Sequence, residues 1–153
     1  MESLMSHSLL LLRYAHATAV LNRDDQYLMS GRTPVDILRA TRMFLSNSVL
    51  WTSNAVARDE NDEIVRPNSP RAVAWSVEGA IAMMSNTSAI FPLFFARLLD
   101  RIIHEKFSDL VGKYLDRGSA PTFGDFEAVF NYELAMRALD AAIEELARDS
   151  VHP

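Results

Sequence analysis

Apolar residues recur along most of the chain at intervals of three and four positions, the spacing that places them on one face of a helix. This pattern predicts a first helix over residues 3–21 and a second over 34–47. The second begins at Thr33-Pro34, where threonine can cap free backbone amides and proline fits the first helical position. Ser69-Pro70 repeats this signal, so a third helix is predicted to begin there.

The second half of the chain is also mainly helical in pattern. The most apolar stretch, residues 90–103, predicts a central helix, and a shorter helix is expected over 107–115. Residues 123–130 fit either a strand or a buried approach to the last helix, and their periodicity does not decide between the two. Asn131 is expected to cap a final helix that runs through Arg148.

The segment between the second and third predicted helices has a different pattern. Residues 54–58 and 63–66 flank the polar stretch Asp59-Glu60-Asn61-Asp62, which has the composition of a turn. The segment therefore predicts a short β-hairpin near residues 54–66.

Together these elements predict a mainly α, α+β fold, in which five to six helices pack around one core beside the hairpin. A length of 153 residues is close to the commonest size of a single domain. We expect one domain over residues 1–153, with the helix at 3–21 at its periphery and a frayed tail at 149–153.

Charge and composition narrow the classes of function. Lys and Arg total 15 against 20 for Asp and Glu, and the net charge of -5 repels nucleic-acid phosphates. We therefore expect no generic nucleic-acid binding. The absence of cysteine excludes disulfides and thiolate nucleophiles. Charges interrupt the apolar stretches before they reach the ~20 residues of a membrane span, so we expect a cytoplasmic protein without membrane insertion.

A recognisable motif begins at the predicted hairpin. It reads W-T-x-x-A-x-A-R-D from Trp51 to Asp59 and S-P-x-A-V-x-W-x-x-x-G-A from Ser69 to Ala80. This pattern resembles a domain-of-unknown-function family of small bacterial and phage proteins. The resemblance implies an α+β fold with a small sheet element flanked by helices, and it implies no activity.

The chain departs from the family pattern at two places. Ser76 follows Trp75 where the family often has a cysteine, and the family's N-D-x-x-G-x-T segment is reduced to Asn131.

Arg58 and Asp59, beside Trp51 and Thr52, form the most motif-like polar group of the sequence. The rim of a hairpin is a place where ligand-contacting residues can be displayed. A structural interpretation stands beside this one, because Asp59 can cap its own turn and Arg58 can pair with it or cover an indole.

Trp75 and Glu78 lie three positions apart in the predicted third helix, where they could form an exposed binding edge. The alternative is an ordinary amphipathic helix with Trp75 as a core contact. The candidate residues for binding a ligand or partner are therefore Trp51, Thr52, Arg58, Asp59, Trp75 and Glu78.

Neither catalytic residues nor metal ligands are predicted. Asp100 and His104 are four apart on a helix, which suits an oriented imidazole but more simply a solvated ion-pair face. His7 and His16 are too far apart for a zinc-protease pair. Phosphate-binding glycine loops, nucleophile elbows and paired-carboxylate motifs are absent from the sequence. We expect no cofactor, and a non-enzymatic protein more than an enzyme.

Two hypotheses of function follow. The first is a small interaction or regulatory protein, encoded by a phage or mobile element, that binds a host protein complex, for example to inhibit a defence system. The second is a small ligand-binding protein or enzyme with a pocket beside the hairpin, in which Arg58 grips an anionic group next to Asp59.

Excess apolar surface favours a homodimer over a monomer. The apolar residues of 90–103 cover more than one helix face, and four consecutive leucines at 9–12 do the same for the first helix. Pairing such faces across a twofold axis would bury both.

Overall fold

The computed structural model describes residues 33–85, 93–115 and 121–149. Within these ranges the fold is mainly α with a small β part, which confirms the predicted fold class. The predicted helix at 3–21 lies outside the described residues. The elements follow in the order α1 (Pro34–Phe44), a 3-10 turn (Ser48–Leu50), β1 (Ala57–Arg58), β2 (Ala74–Trp75), α2 (Val77–Met84), α3 (Leu93–Lys106), α4 (Ser108–Tyr114), α5 (Phe123–Val129) and α6 (Tyr132–Asp149).

The N-terminal caps predicted for two helices are present. Thr33 Oγ1 accepts the backbone N–H of Asp36 at 3.3 Å, and the Asp36 carboxylate accepts the backbone N–H of Thr33. Asn131 Oδ1 accepts the N–H of Leu134 at 3.0 Å at the start of α6. Local polar residues therefore fix where α1 and α6 begin.

The predicted turn at residues 59–62 is present, but the strand paired with β1 is not 63–66. Arg58 forms an isolated antiparallel bridge with Ile64, whereas the two-stranded sheet pairs β1 with β2. Burial explains the choice, because Ile64 is 64% exposed while β2 carries Trp75, which is 1% exposed. Pairing with β2 brings the larger apolar surface into the core.

The third helix begins later than predicted. Ser69-Pro70 opens a turn, β2 follows, and α2 begins only after Ser76. Ser76 Oγ accepts the backbone N–H of Gly79 at 3.0 Å, which makes Ser76 the N-cap. Trp75 therefore lies on a strand, and it shares no helix face with Glu78.

Residues 123–130, whose periodicity left two possibilities open, contain helix α5. Thr122 and Asp125 form a capping box at its start. The predicted helix over 107–115 is present as α4.

Helix α6 packs against α1, α3 and α5, and α1 also packs against α2. Two ion pairs join these helices at the surface: Arg42 Nε lies 2.8 Å from Asp140 Oδ1, and Arg101 binds both oxygens of Glu145. The largest fully buried side chains form one core cluster and include Leu38, Trp75, Ile81, Leu99, Ile102, Ile103, Phe123, Phe126 and Leu139.

Helix α3, which comes from the most apolar stretch of the sequence, buries its apolar stripe inside this core. Leu93 and Phe94 at its N-terminal end are 62% and 51% exposed. The homodimer stays a prediction, and these two residues are the part of α3 that could contribute to it. Among the described helices, none combines the length and apolar character that crossing a bilayer requires.

Candidate functional site

Asp59 is one of the two residues of the predicted Arg58-Asp59 group. It stabilises the turn that begins at its own position. Its Oδ1 accepts the backbone N–H groups of Asn61 and Glu63, each at 2.9 Å, and its Oδ2 pairs with the Arg71 guanidinium. The N–H of Glu63 contributes most to a lowered pKa of Asp59, while burial opposes the shift. Asp59 is a turn cap, as the structural interpretation predicts.

Arg58 binds the backbone of neighbouring loops and not the carboxylate of Asp59. Its terminal nitrogens donate to the carbonyl oxygens of Asp62 at 3.0 Å and Ser53 at 3.4 Å. A hollow of about 210 Å³ borders Asp59 and Arg71 but does not include Arg58. The structure therefore does not bring Arg58 and Asp59 together around one pocket.

Asp59→Ala is expected to destabilise the protein, because two backbone N–H groups and the Arg71 guanidinium lose their acceptor. The melting temperature should fall by roughly 5 °C or more. Asp59→Asn retains an Oδ1 acceptor for the turn and should cause a smaller fall. Circular dichroism during heating measures both variants, and equal melting temperatures of Asp59→Ala and wild type would contradict the structural role.

The two tryptophans of the motif have different environments. Trp75 is a core residue whose indole N–H donates to the carbonyl oxygen of Pro67 at 2.8 Å. Trp51 is half-buried and donates its indole N–H to Glu127 Oε2 at 2.6 Å. Thr52 contributes its backbone N–H to the carbonyl oxygen of Trp75 at 3.0 Å. Of these motif residues, Trp51 is the one bound to a buried ionisable group.

Glu127 is a carboxyl group on α5 that is only 2% exposed. Its Oε2 accepts two donors, the indole N–H of Trp51 and the backbone N–H of Val77 at 2.8 Å. Within the ranges that the structure describes, Oε1 has no hydrogen-bond partner. Two donors thus fix the orientation of the carboxyl group and leave one oxygen unpaired.

Glu78 approaches α5 from the first turn of α2. A Cβ atom added to Gly124 would lie 3.2 Å from Glu78 Oε1, so a glycine at this position leaves room for the carboxyl group. Glu78 is half-buried, and it forms no hydrogen bond or ion pair with any described residue. Its carboxyl group is therefore available to a ligand.

Glu78 and Glu127 border one cavity of about 310 Å³, which we call the carboxyl cleft. This volume is at the lower end of the range found for small-ligand pockets. None of the described residues that line the cleft is Lys, Arg or His. The lining residues are Asn54, Ala55, Val56, Ser76, Glu78, Thr122, Gly124, Asp125 and Glu127.

Both cleft glutamates are shifted toward their neutral forms. Burial raises the pKa of Glu127 to about 8, although its two N–H donors lower it. Burial also raises the pKa of Glu78, and the carboxylates of Asp100 and Asp125 add to that shift. Near neutral pH the Glu127 carboxyl is therefore mainly protonated and can donate or accept a hydrogen bond. Perturbed carboxyl groups in a cleft are a common feature of functional sites.

The sequence analysis selected Glu78 as a neighbour of Trp75 and missed Glu127. A helical reading of the 123–130 segment places Phe123, Phe126, Glu127 and Phe130 at positions i, i+3, i+4 and i+7. A carboxyl group in an apolar stripe is the local signal that could have identified Glu127. No local signal indicates that Glu127 and Glu78 border the same cavity, because 49 positions separate the two residues.

Asp100 and His104 each contact backbone groups before α5 or at its start. Asp100 Oδ1 accepts the N–H of Phe123 at 2.7 Å, and His104 Nε2 lies 2.8 Å from the carbonyl oxygen of Pro121. In the described parts of the chain, no three His, Asp or Glu side chains are arranged to hold a metal ion. His7 and His16 lie outside those parts.

The comparisons with family models, curated proteins and solved structures found no match to the chain. The resemblance to the domain-of-unknown-function family therefore stays a prediction. The class of protein that the fold and site define is a small, mainly α protein with a carboxyl-lined cleft.

Proposed function

We propose that this protein binds a small polar organic molecule in the carboxyl cleft. The observation that carries the proposal is the unpaired Oε1 of Glu127, a buried atom at the wall of a cavity that Glu78 also borders. A buried polar atom without a partner costs free energy, and most such atoms in folded proteins are paired. A ligand that forms a hydrogen bond with Oε1, as acceptor to the protonated carboxyl or as donor to the ionised one, would remove this cost.

Several contacts hold the cleft in shape before any ligand arrives. Trp51 and Val77 orient Glu127, and the hydroxyl groups of Ser76 and Thr122 are engaged as helix caps. These capping oxygens already accept backbone N–H groups, so the carboxyl groups are the main recognition elements. A preformed site of this kind reduces the entropic cost of binding.

This proposal develops the sequence hypothesis of a small ligand-binding protein, but it assigns the ligand to a different site. The cleft lies beside β1, and its proposed binding groups are Glu78 and Glu127 instead of Arg58 and Asp59. The interaction-protein hypothesis, with its phage origin and host complex, rests on sequence features and stays a prediction.

A binding screen by two-dimensional ¹H–¹⁵N NMR tests the proposal. The panel contains sugars, amino acids, nucleosides and small amines, guanidines and ureas, and we expect saturable shifts for amides of the carboxyl cleft with at least one class. Gly124→Leu would place a side chain in the cleft against Glu78 and should abolish those shifts. Gly112→Leu is the matched control, because a Cβ atom at Gly112 meets nothing within 4 Å.

Shifts that persist in Gly124→Leu would place the binding site elsewhere and contradict the proposal. A panel without any saturable binder would contradict it as well.

A further inference from the structure

We infer that the carboxyl cleft selects an organic cation that carries several N–H donors, a guanidinium or a primary ammonium group. This inference rests on the proposed function and names the ligand class of the same site. Three features carry it: the uncompensated charge of the lining, the unpaired oxygens, and the lack of a metal-binding arrangement.

The charge of the cleft is one-sided. Glu78, Asp125 and Glu127 line the cavity, and no basic residue among those that the structure describes does so. Arg71 and Arg101 do not line the cleft, and they pair with Asp59 and Glu145. The carboxylates repel an anionic ligand in their ionised forms, whereas a cation favours those forms and gains Coulombic attraction in partly desolvated surroundings.

Once ionised, the two cleft glutamates accept hydrogen bonds only, and therefore require donors. Glu127 Oε1 and the carboxyl group of Glu78 have no donor among the described residues. A guanidinium group presents five N–H donors and an ammonium group three, so either can donate to more than one carboxyl oxygen. A neutral polyol supplies donors without charge, and a bare metal ion is disfavoured because no described group of three ligands is arranged to hold one.

Binding of a cation should expel a proton from the cleft. Among the described residues, the ionisable group that acts on Glu127 is Glu78 on α2, and Glu78 is in turn influenced by Asp100 on α3 and Asp125 on α5. A bound cation stabilises the ionised form of Glu127 and of Glu78, so each pKa falls and the cation binds more tightly as pH rises. A guanidinium probe keeps its own charge throughout this range.

A matched pair of probes tests the inference. Butylguanidinium and butylurea have nearly the same shape, but only the first is charged. We expect NMR titrations to give roughly tenfold or more tighter binding of butylguanidinium at neutral pH, with a preference that grows from about pH 6 to about pH 8.5. Glu78→Gln should reduce the preference to about twofold or less. Glu144→Gln, at an exposed position on α6, should leave it unchanged.

The outcomes separate the inference from the proposed function. Equal binding of the two probes, or a preference for butylguanidinium that survives in Glu78→Gln, overturns the cation inference while leaving a ligand-binding cleft. The cation inference also fails if a neutral or anionic panel molecule binds in the cleft and butylguanidinium does not. If neither the probes nor the panel shifts the cleft amides, both the inference and the proposed function fail.

Discussion

Gly79→Ala should be among the most destabilising single substitutions in the described part of the chain. A Cβ atom at Gly79 would lie 1.8 Å from the carbonyl oxygen of Val56 and 2.7 Å from its carbonyl carbon. Both are backbone atoms, so α2 or the segment before β1 would have to move. We expect the free energy of unfolding to fall by roughly 3 kcal/mol or more, at the upper end of the range for overpacking.

Urea denaturation of Gly79→Ala and Gly112→Ala measures this effect against a matched control. Gly112 lies on α4 with open space around its Cβ position, so alanine there should stabilise by about 1 kcal/mol through helix propensity. Opposite signs for the same chemical change would show that the backbone contact, and not the loss of glycine itself, decides the result. A Gly79→Ala variant as stable as wild type would mean that α2 does not approach Val56 this closely.

The same contact explains how α2 reaches the carboxyl cleft. Val56 borders the cleft, and its carbonyl oxygen also accepts the backbone N–H of Ser76 at 3.2 Å. Of the next two residues, Val77 donates its backbone N–H to Glu127, and Glu78 lines the cavity. The glycine that permits close packing thus places the first turn of α2 where its backbone and side chain both face α5.

Elements with local signals were predictable from the sequence. Thr33, Asn131 and the turn at Asp59 interact with backbone groups two to four residues away, so the responsible atoms are adjacent in sequence. The predicted start of α2 was wrong because Ser69-Pro70 and Ser76 both resemble helix caps. Tertiary packing, and not the local sequence, determines which of them begins the helix. Pairing of β1 with β2 depends on burial of Trp75, which no local pattern around residue 66 can reveal.

The candidate site was less predictable because its contacts are long-range. Trp51 and Val77 are 76 and 50 positions from Glu127, and neither contact leaves a motif in the sequence. Trp51 was among the candidate residues from the sequence, where it was grouped with Arg58 and Asp59. Those two residues contribute to the stability of the loop next to β1 instead.

The second large effect expected concerns the pH dependence of stability. The pKa of Glu127 rises from an ordinary 4.5 to about 8 in the folded protein, so between these values the folded state binds a proton that the unfolded state releases. Stability must therefore fall as pH rises through this window, by at most about 1.4 kcal/mol per pH unit for one proton. The raised pKa of Glu78 adds a contribution of the same sign.

Glu127→Gln should remove most of this pH dependence. Its amide oxygen can accept the N–H groups of Trp51 and Val77, while its amide stays uncharged at every pH. At pH 5 the variant and wild type should have similar stability, and by pH 8 the variant should be more stable by roughly 2–4 kcal/mol. Urea denaturation across this range measures the difference.

Glu144→Gln, which removes an exposed carboxyl group, should leave the wild-type pH profile unchanged. Parallel profiles for Glu127→Gln and wild type would show that Glu127 is already ionised in the folded protein at pH 5, contrary to the proton-bound cleft described above.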